Sequence, residues 1–197
     1  EVLASERGDV GLKMLPFVDE PGITYNFRMA FEDGTGEMIR EQMIPVYVDI
    51  RHQDPQQRLG RRVVQGDSIK GVPDGSYIRS LMQSEPELRS AAEEYISQQV
   101  GTMRETLAER RHRETRQEMD DLDEYATAER DRIEEFIADY QRKAAAGSNM
   151  DIAIRNQRDR LERLEQRIET RRQDLERKAQ VISLAPDVEN VCFALPV

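Results

Sequence analysis

Residues 22–38 read GITYNFRMAFEDGTGEM, in which large apolar side chains alternate with small or polar ones. The large apolar residues are Ile23, Tyr25, Phe27, Met29 and Phe31. Because successive side chains of a strand point to opposite faces, this alternation predicts a half-buried β-strand. The DGTG at 33–36 supplies residues that favour a hairpin loop, so a return strand is predicted over 37–50.

The two ends of the chain carry further apolar runs. Val181–Leu184 and Val191–Leu195 are β-branched and apolar, as strands are, and residues 10–18 form either a strand or an apolar lead-in. Such short strands can be buried only if they join the sheet of the 22–50 hairpin. Residues 51–83 are typical of loops, with room for a short strand or helix near Arg62–Val64.

A helix is predicted to start at SEPE, with Ser84 as N-cap, Pro86 in the first turn and Glu87 completing a capping box. Apolar residues then recur at steps of three and four, which predicts an amphipathic helix packed on the sheet. They are Leu88, Ala92, Ile96, Val100, Met103 and Leu107.

Two seven-residue repeats follow, separated by the helix-stopping AAAGSN at 144–149. The first comprises Met119, Ala126, Ile133 and Tyr140, with Leu122 and Phe136 between them; the second comprises Ile154, Leu161, Ile168 and Leu175, with Leu164 between them. Such narrow seams with a short connector predict an antiparallel coiled-coil hairpin. In the alternative, each seam pairs with a second copy and makes a homodimer.

The predicted fold is therefore α+β: a small antiparallel sheet of N- and C-terminal strands with a long helical hairpin inserted between them. Its parts are a β-rich part at 1–83, a helix packed on the sheet at 84–118, the coiled-coil arm at 119–179 and the returning strands at 180–197. Because the first residue is Glu1 and not Met, we expect a piece of a longer protein.

The composition is strongly acidic, with a net charge of −10 over 197 residues and a pI near 4.9. Non-specific nucleic-acid binding needs an excess of cations, so this charge disfavours it. Only four of the 29 basic residues are Lys, which fits a salt-loving source or, alternatively, a GC-rich genome. No signal peptide or apolar run of 18 residues occurs, so a cytoplasmic location without membrane contact is expected.

No catalytic, cofactor-binding or metal-binding residue can be nominated. The chain has no G-x-x-x-x-G-K-[ST] loop, and the acidic LDEYA at 122–126 follows charged helix instead of a buried strand. His52 and His112 lie outside any metal-binding spacing. The carboxylates of EMDDLDE at 118–124 are interpreted as a solvated helix face, and Cys192 as a buried strand residue.

One set of arginines is a candidate nucleic-acid contact: Arg104, Arg110, Arg111, Arg113 and Arg116. The alternative is pairing along the helix surface through Glu109–Arg113, Arg110–Glu114 and Arg116–Asp120. For a second set, Arg158, Arg160, Arg163, Arg167, Arg171 and Arg172, pairing with the flanking acids is predicted.

The order of these parts resembles the non-catalytic C-terminal region of RapA-like, Swi/Snf-class helicases of bacteria and archaea. The likeness lies in a hairpin (YNFRMAFEDGTGEMIREQMIPVYVD), a long helix, a second helix (AIRNQRDRLERLEQRIETRRQDLERKAQ) and a final strand (VENVCFALPV). It implies an ATP-driven translocase on nucleic acid in the parent protein, with ATP and Mg²⁺ bound outside these residues.

Under this resemblance the present region is an accessory module that docks a protein partner, such as the transcription machinery, or positions the motor. None of the family's ATP-binding motifs occurs in these 197 residues, and the acidity departs from what direct DNA contact needs. The alternative function is a coiled-coil adaptor or chaperone-like interaction module without a motor.

Overall fold

Six strands and three helices make up residues 10–197, the part of the chain that the computed structural model describes. They are β1 (Val10–Met14), β2 (Gly22–Asp33), β3 (Met38–Asp49), β4 (Pro55–Gln56), α1 (Gln57–Gln65), α2 (Gly75–Ala145), α3 (Asp151–Ala179), β5 (Val181–Ser183) and β6 (Asp187–Leu195). The predicted 1–83 part begins with nine residues that lie outside this description. The α+β class is confirmed.

The strands form one sheet in the order β1-β6-β2-β3-β4, and β5 also pairs with β2. The C-terminal β6 runs antiparallel to β2, with Gly22 opposite Ala194, so the predicted return of the chain end to the hairpin is confirmed. β1 instead runs parallel to β6, with Val10 opposite Val191. The sheet is therefore mixed, and the antiparallel prediction was wrong for this pair, since the long connection between β1 and β6 permits a parallel neighbour.

One face of the sheet packs against the first part of α2. All five alternating residues from Ile23 to Phe31 are buried, as predicted. Leu81, Leu88, Ala92 and Ile96 of α2 are also buried, at steps of seven, four and four. The Tyr25 hydroxyl donates to the Glu85 carbonyl at 3.3 Å, which joins strand and helix. Each large side chain buried here contributes about 1.5–3 kcal/mol to folding.

The opposite face of the sheet is covered as well at the start of β2. Thr24 and Asn26 are buried although they lie on the face that the alternation marks as polar. A second small core covers them: Leu15, Val18, Tyr47, Val63, Cys192 and Ala194, with Phe17 and Leu59 packed against it. The first part of β2 is therefore buried on both faces, because α1 and the 15–18 loop cover its second face. The alternation of residues along β2 does not predict this added layer.

α2 begins at Gly75 and not at Ser84. Asp74 makes the cap: its carboxylate accepts from the Ser76 backbone N–H at 2.8 Å, and its carbonyl accepts from Tyr77 at 3.1 Å. Leu81, seven residues before Leu88, is fully buried and anchors this added stretch. The predicted capping box is therefore interior to the helix, and Pro86 is accommodated there at the loss of one backbone hydrogen bond.

The predicted end of this helix is confirmed, since α2 stops at Ala145. Gly147, with φ of +93°, donates to the Ala144 carbonyl, and Ser148 donates to the Lys143 carbonyl. These two bonds form a Schellman motif, in which a left-handed glycine ends the helix. In the described part of the chain, no helix combines the length and the apolar character that crossing a membrane requires.

The chain divides into two compact units. Of the described residues, unit 1 contains 10–32, Met38–Glu105 and Ile182–Val197, and therefore almost all of the sheet. Unit 2 contains the hairpin loop Asp33–Glu37 and Thr106–Val181, and therefore the rest of α2 and all of α3.

Candidate functional site

Within unit 2, three ion pairs connect α2 to α3. They are Glu129–Arg160 at 3.1 Å, Glu118–Arg171 at 3.2 Å and Asp123–Arg172 at 2.6 Å. All three are at least partly exposed to solvent, so each contributes at most about 1 kcal/mol. These ion pairs also define the register of the two helices, that is, which side chains of α2 lie opposite which side chains of α3.

The hairpin loop contacts both helices of unit 2. Asp33 is buried, and its Oδ1 accepts from the Thr35 N–H at 2.8 Å, the Thr35 hydroxyl at 2.6 Å and the Glu37 N–H at 3.1 Å. The Gly34 N–H donates to the Arg177 carbonyl of α3 at 3.0 Å. A Cβ on Gly34 would lie 2.6 Å from that same carbonyl oxygen, so glycine is required for this approach.

Asp33 also faces α2 through Arg111, whose Nη2 lies 3.9 Å from Asp33 Oδ2. Neither Asp33 Oδ2 nor Arg111 Nε has a hydrogen-bond partner, although both atoms are buried. Burial pushes the pKa of Asp33 upward, but the hydrogen bonds from Thr35 and Glu37 and the Arg111 charge outweigh it and hold this pKa below its ordinary value. Asp33 is therefore an ionised anchor of the loop.

Five arginines of α2 were nominated from the sequence as a nucleic-acid contact. Arg104 belongs to unit 1 and the other four to unit 2. Arg110 pairs with Glu114 at 2.7 Å, as predicted, and Arg111 is engaged by Asp33. Arg104, Arg113 and Arg116 are exposed and make no ion pair within residues 10–197, so two of the three predicted i,i+4 pairs are absent there.

Arg113 and Arg116 line an open groove of about 640 Å³ between α2 and α3. The groove is formed by His112, Arg113, Thr115, Arg116, Met119, Asp120, Leu175, Glu176 and Ala179. Two arginines, a histidine and an apolar floor suit a small anionic or amphipathic group. The acids in the lining offset the two guanidinium charges, however, so the groove has little net attraction for a polyanion.

The α3 arginines divide into paired and unpaired members. Arg160, Arg171 and Arg172 are bound by acids of α2, whereas Arg158, Arg163 and Arg167 make no ion pair with any described residue. Pairing with the flanking acids was predicted for all six, but among the described residues only Arg172 makes such a pair, with Glu169 at 3.9 Å. The prediction was therefore wrong for the other five, of which Arg160 and Arg171 pair across to α2 instead.

His52 and Cys192, both considered in the sequence analysis, lie in unit 1. His52 Nδ1 lies 3.2 Å from Asp49 Oδ1 beside the end of β3, where the same carboxylate accepts backbone N–H groups from Arg51 and His52. Cys192 is buried, and burial raises the pKa of its thiol. Across residues 10–197, no cluster of three or more His, Cys, Asp or Glu is arranged to hold a metal ion.

Comparison with known proteins gives no match for this chain among protein-family models, curated proteins or solved structures.

Proposed function

We propose that this chain is the accessory, non-catalytic region of an ATP-dependent nucleic-acid helicase or translocase, where it docks a protein partner or positions the motor. The observation that carries the proposal is the insertion of a 71-residue helix and its 29-residue partner between strands of a single sheet. That order of hairpin, long helix, second helix and final strand is also the basis of the resemblance to RapA-like helicases.

The second part of α2 and α3 are proposed to form an antiparallel coiled-coil arm. The ion pairs support this direction, because Arg160 is bound by Glu129 whereas Arg171, later in α3, is bound by the earlier Glu118. The seam is supported by four buried repeat residues: Ala126, Ile133, Leu164 and Leu175. With 29 residues, α3 has a length of about 40 Å.

Pairing within one chain is favoured over a homodimer through the seams. The same buried repeat residues and the same cross-helix ion pairs lie within a single molecule. Phe136 differs from the predicted seam, since 39% of its surface is exposed and its ring stacks on Tyr140 at 6.4 Å.

ATP hydrolysis by the protein encoded in the complete reading frame tests the proposal. We expect that protein to hydrolyse ATP with Mg²⁺ in the presence of duplex DNA, and the 197-residue chain alone to show no hydrolysis. Absence of hydrolysis by the complete protein would remove the motor and favour the second candidate, a coiled-coil adaptor. Hydrolysis by the isolated chain would contradict both.

Direct DNA binding by the isolated chain is expected to be weak and sensitive to salt. The net charge of −10 opposes a polyanion, and the unpaired Arg113 and Arg116 share their groove with two acids. Fluorescence anisotropy with a labelled duplex measures the dissociation constant. A sub-micromolar Kd that persists at physiological salt would contradict a docking role directed to proteins.

A further inference from the structure

β3 has one side that the rest of the sheet only partly covers. β2 pairs along β3 on one side, whereas on the other side the two-residue β4 pairs only with its end. α1 closes the next part, since a Cβ on Gly60 would lie 2.5 Å from the Pro45 carbonyl oxygen. Residues 39–44 have no neighbouring strand on that side in the sheet as described, and their free side is here called the open edge.

The register of the hairpin decides which backbone groups lie at the open edge. The Ile50 N–H donates to the Pro21 carbonyl at 3.0 Å, so residue 50 faces the strand that contains residue 21. In an antiparallel pair, residues that bond to the partner strand alternate with residues that face away from it. The even-numbered residues of β3 therefore bond to β2, and Glu41 and Met43 direct their N–H and C=O groups outward. Pro45 has the same orientation, which explains why a residue without an N–H is tolerated there.

The open edge is short and accessible. Met43 is 48% exposed, and the Glu41 side chain is 50% exposed. Within residues 10–197, no hydrogen bond from another segment reaches their outward N–H and C=O groups. Pro45 limits the edge at one end, and the bulge of the hairpin at Phe31/Glu32 limits it at the other. The open edge therefore fits one short extended segment.

Glu41 is only partly neutralised by the cation beside it. Arg28 Nε lies 3.3 Å from Glu41 Oε1 and 3.6 Å from Glu189 Oε1, so one guanidinium serves two carboxylates. Asp187, a third and exposed carboxylate, lies opposite Arg28 in the register of β2 and β6. Because β3 is the outermost of these three strands, a further cation reaches Glu41 from the open edge.

The other arginines near β3 leave this balance unchanged. Arg40 lies on the opposite face of β3, since neighbouring side chains of a strand alternate, and its guanidinium donates to the Gln42 side chain. Arg58 and Arg61 of α1 flank Gly60, which closes the far end of this side of the strand. The charge beside the two outward-facing residues is therefore negative.

We propose that the open edge binds an extended segment of a partner protein as an added strand, with Lys or Arg opposite Glu41 and an apolar residue opposite Met43. This inference rests on the docking function proposed above and names the chemistry of the partner. The outward N–H and C=O groups bind the main chain of the segment, and the side chains opposite the two residues select its sequence. Opposite charges and apolar contacts in such cross-strand pairs stabilise a sheet.

The same charges disfavour a second copy of this chain at the open edge. Two copies related by a two-fold axis would pair β3 antiparallel with itself, which brings Glu41 close to its counterpart. The carboxylates that already share Arg28 would then meet those of the other copy, and like charges opposite each other destabilise a sheet. A basic strand from a different protein avoids this repulsion.

The test uses the whole 197-residue chain and a fluorescein-labelled eleven-residue peptide of alternating Thr and Val, with Lys in place of the central Val. Anisotropy measures binding, and nuclear magnetic resonance measures amide exchange. We expect binding to slow the exchange of the Glu41 and Met43 amides, whereas those of Gln42 and Ile44, which face β2, are protected with and without peptide. A peptide with Glu in place of Lys should bind about fivefold more weakly. N-methylation of the two valines nearest the Lys should weaken binding about tenfold, because it removes donors to β3.

Met43→Pro tests the edge from the side of the protein. It removes one outward N–H at an exposed position that has the orientation of Pro45, and it should weaken binding about tenfold. Met43→Thr is the matched control, since it keeps the N–H and changes only the side chain, and it should stay within about threefold. Circular dichroism checks that both variants are folded. If Met43→Pro is unfolded, the N-methylated peptide makes the same test on the unaltered chain.

Binding of the Lys peptide with slowed exchange at Glu41 and Met43, and its loss on N-methylation, supports the proposal. Three results overturn it: no binding of the Lys peptide, equal binding of the N-methylated peptide, or unchanged exchange at both amides. Self-association of the chain that Met43→Pro abolishes also overturns it, because the open edge would then belong to a second copy. These measurements do not involve ATP, so a negative result leaves the hydrolysis test of the complete protein unaffected and the two failures remain separable.

Discussion

Asp33 is buried although it lies in a hairpin loop, where carboxylates are ordinarily solvated. Its charge is compensated by the Thr35 and Glu37 donors and by Arg111 of α2, while the neighbouring Gly34 reaches the backbone of α3. Two consecutive residues thus hold one loop against two helices. Substitution of Asp33 is expected to destabilise unit 2 through lost electrostatic contacts, and substitution of Gly34 through a steric clash.

Gly34→Ala is expected to destabilise unit 2 by about 1–3 kcal/mol, because the new Cβ would lie 2.6 Å from the Arg177 carbonyl oxygen and the backbone must move. Urea unfolding followed by circular dichroism at 222 nm measures the change. Gly101→Ala is the matched control: its Cβ meets nothing within 4 Å inside α2, and it should stabilise by about 0.5–1 kcal/mol. The same sign for both substitutions would contradict the steric explanation.

Asp33→Asn is expected to reduce the dependence of stability on acidic pH. The pKa of Asp33 is lower in the folded protein, so its contribution is fully present above the unfolded-state pKa and is lost as pH falls towards the folded pKa. Urea unfolding at pH 7 and at pH 3.5 should therefore show a smaller loss of free energy for Asp33→Asn than for the unaltered chain. Asp121→Asn, at an exposed position without an ion pair, should leave the loss unchanged; an equal effect of both would contradict a specific role for Asp33.

At the scale of elements, sequence predicted the patterns that depend on one segment alone and, beyond them, the return of the C-terminal strand to the β2–β3 hairpin. The alternation of β2 and the repeat residues Ile133 and Leu164 each report burial of a single strand or helix face, and the stop after Ala145 depends on the local Gly147. The parallel neighbour β1, the added layer of α1 and the cross-helix pairs of Arg160 and Arg171 depend on which distant residues meet. The periodicity of a single segment contains no information about such contacts. The helix start shows a further limit: the capping box predicted at Ser84 is overridden, because the cap at Asp74 and the buried Leu81 extend the helix towards its N-terminus.

Leu164→Asp is expected to separate α3 from α2, because it places a charge at a position only 4% exposed in the proposed seam. Hydrogen exchange followed by mass spectrometry should show faster exchange over 106–179, with the protection of β2 and β6 retained. Ile152→Asp, at a position 65% exposed on the same helix, should change nothing. Loss of protection throughout β2 would mean that helices and sheet unfold as a single cooperative unit.

On the scale of the whole molecule, the central position of β6 decides whether unit 1 can form. β6 pairs with β1 on one side and with β2 on the other, so residues at the end of the described chain complete a sheet begun near its start. β1 has no other partner strand in the sheet as described. The sheet is therefore held together by contacts between the most distant segments of the sequence.

Truncation after Pro186 is expected to unfold unit 1, since it removes β6 together with the buried Phe193, Ala194 and Leu195. Truncation after Leu195 removes only Pro196 and the largely exposed Val197 and should leave the sheet intact. Near-ultraviolet circular dichroism of the tyrosines, with Tyr25 and Tyr47 buried in this unit, distinguishes the two. A native spectrum for the shorter chain would contradict the central role of β6.

The position of β6 also has a consequence for synthesis on the ribosome. Both long helices are translated between β2 and β6, which at 5–20 residues per second takes roughly eight to thirty seconds. During that interval the nascent β2 offers an edge without its later neighbour, and an unpaired apolar edge is a template for association between chains. Cells that make this protein therefore have reason to shield the emerging hairpin until translation reaches the closing strand.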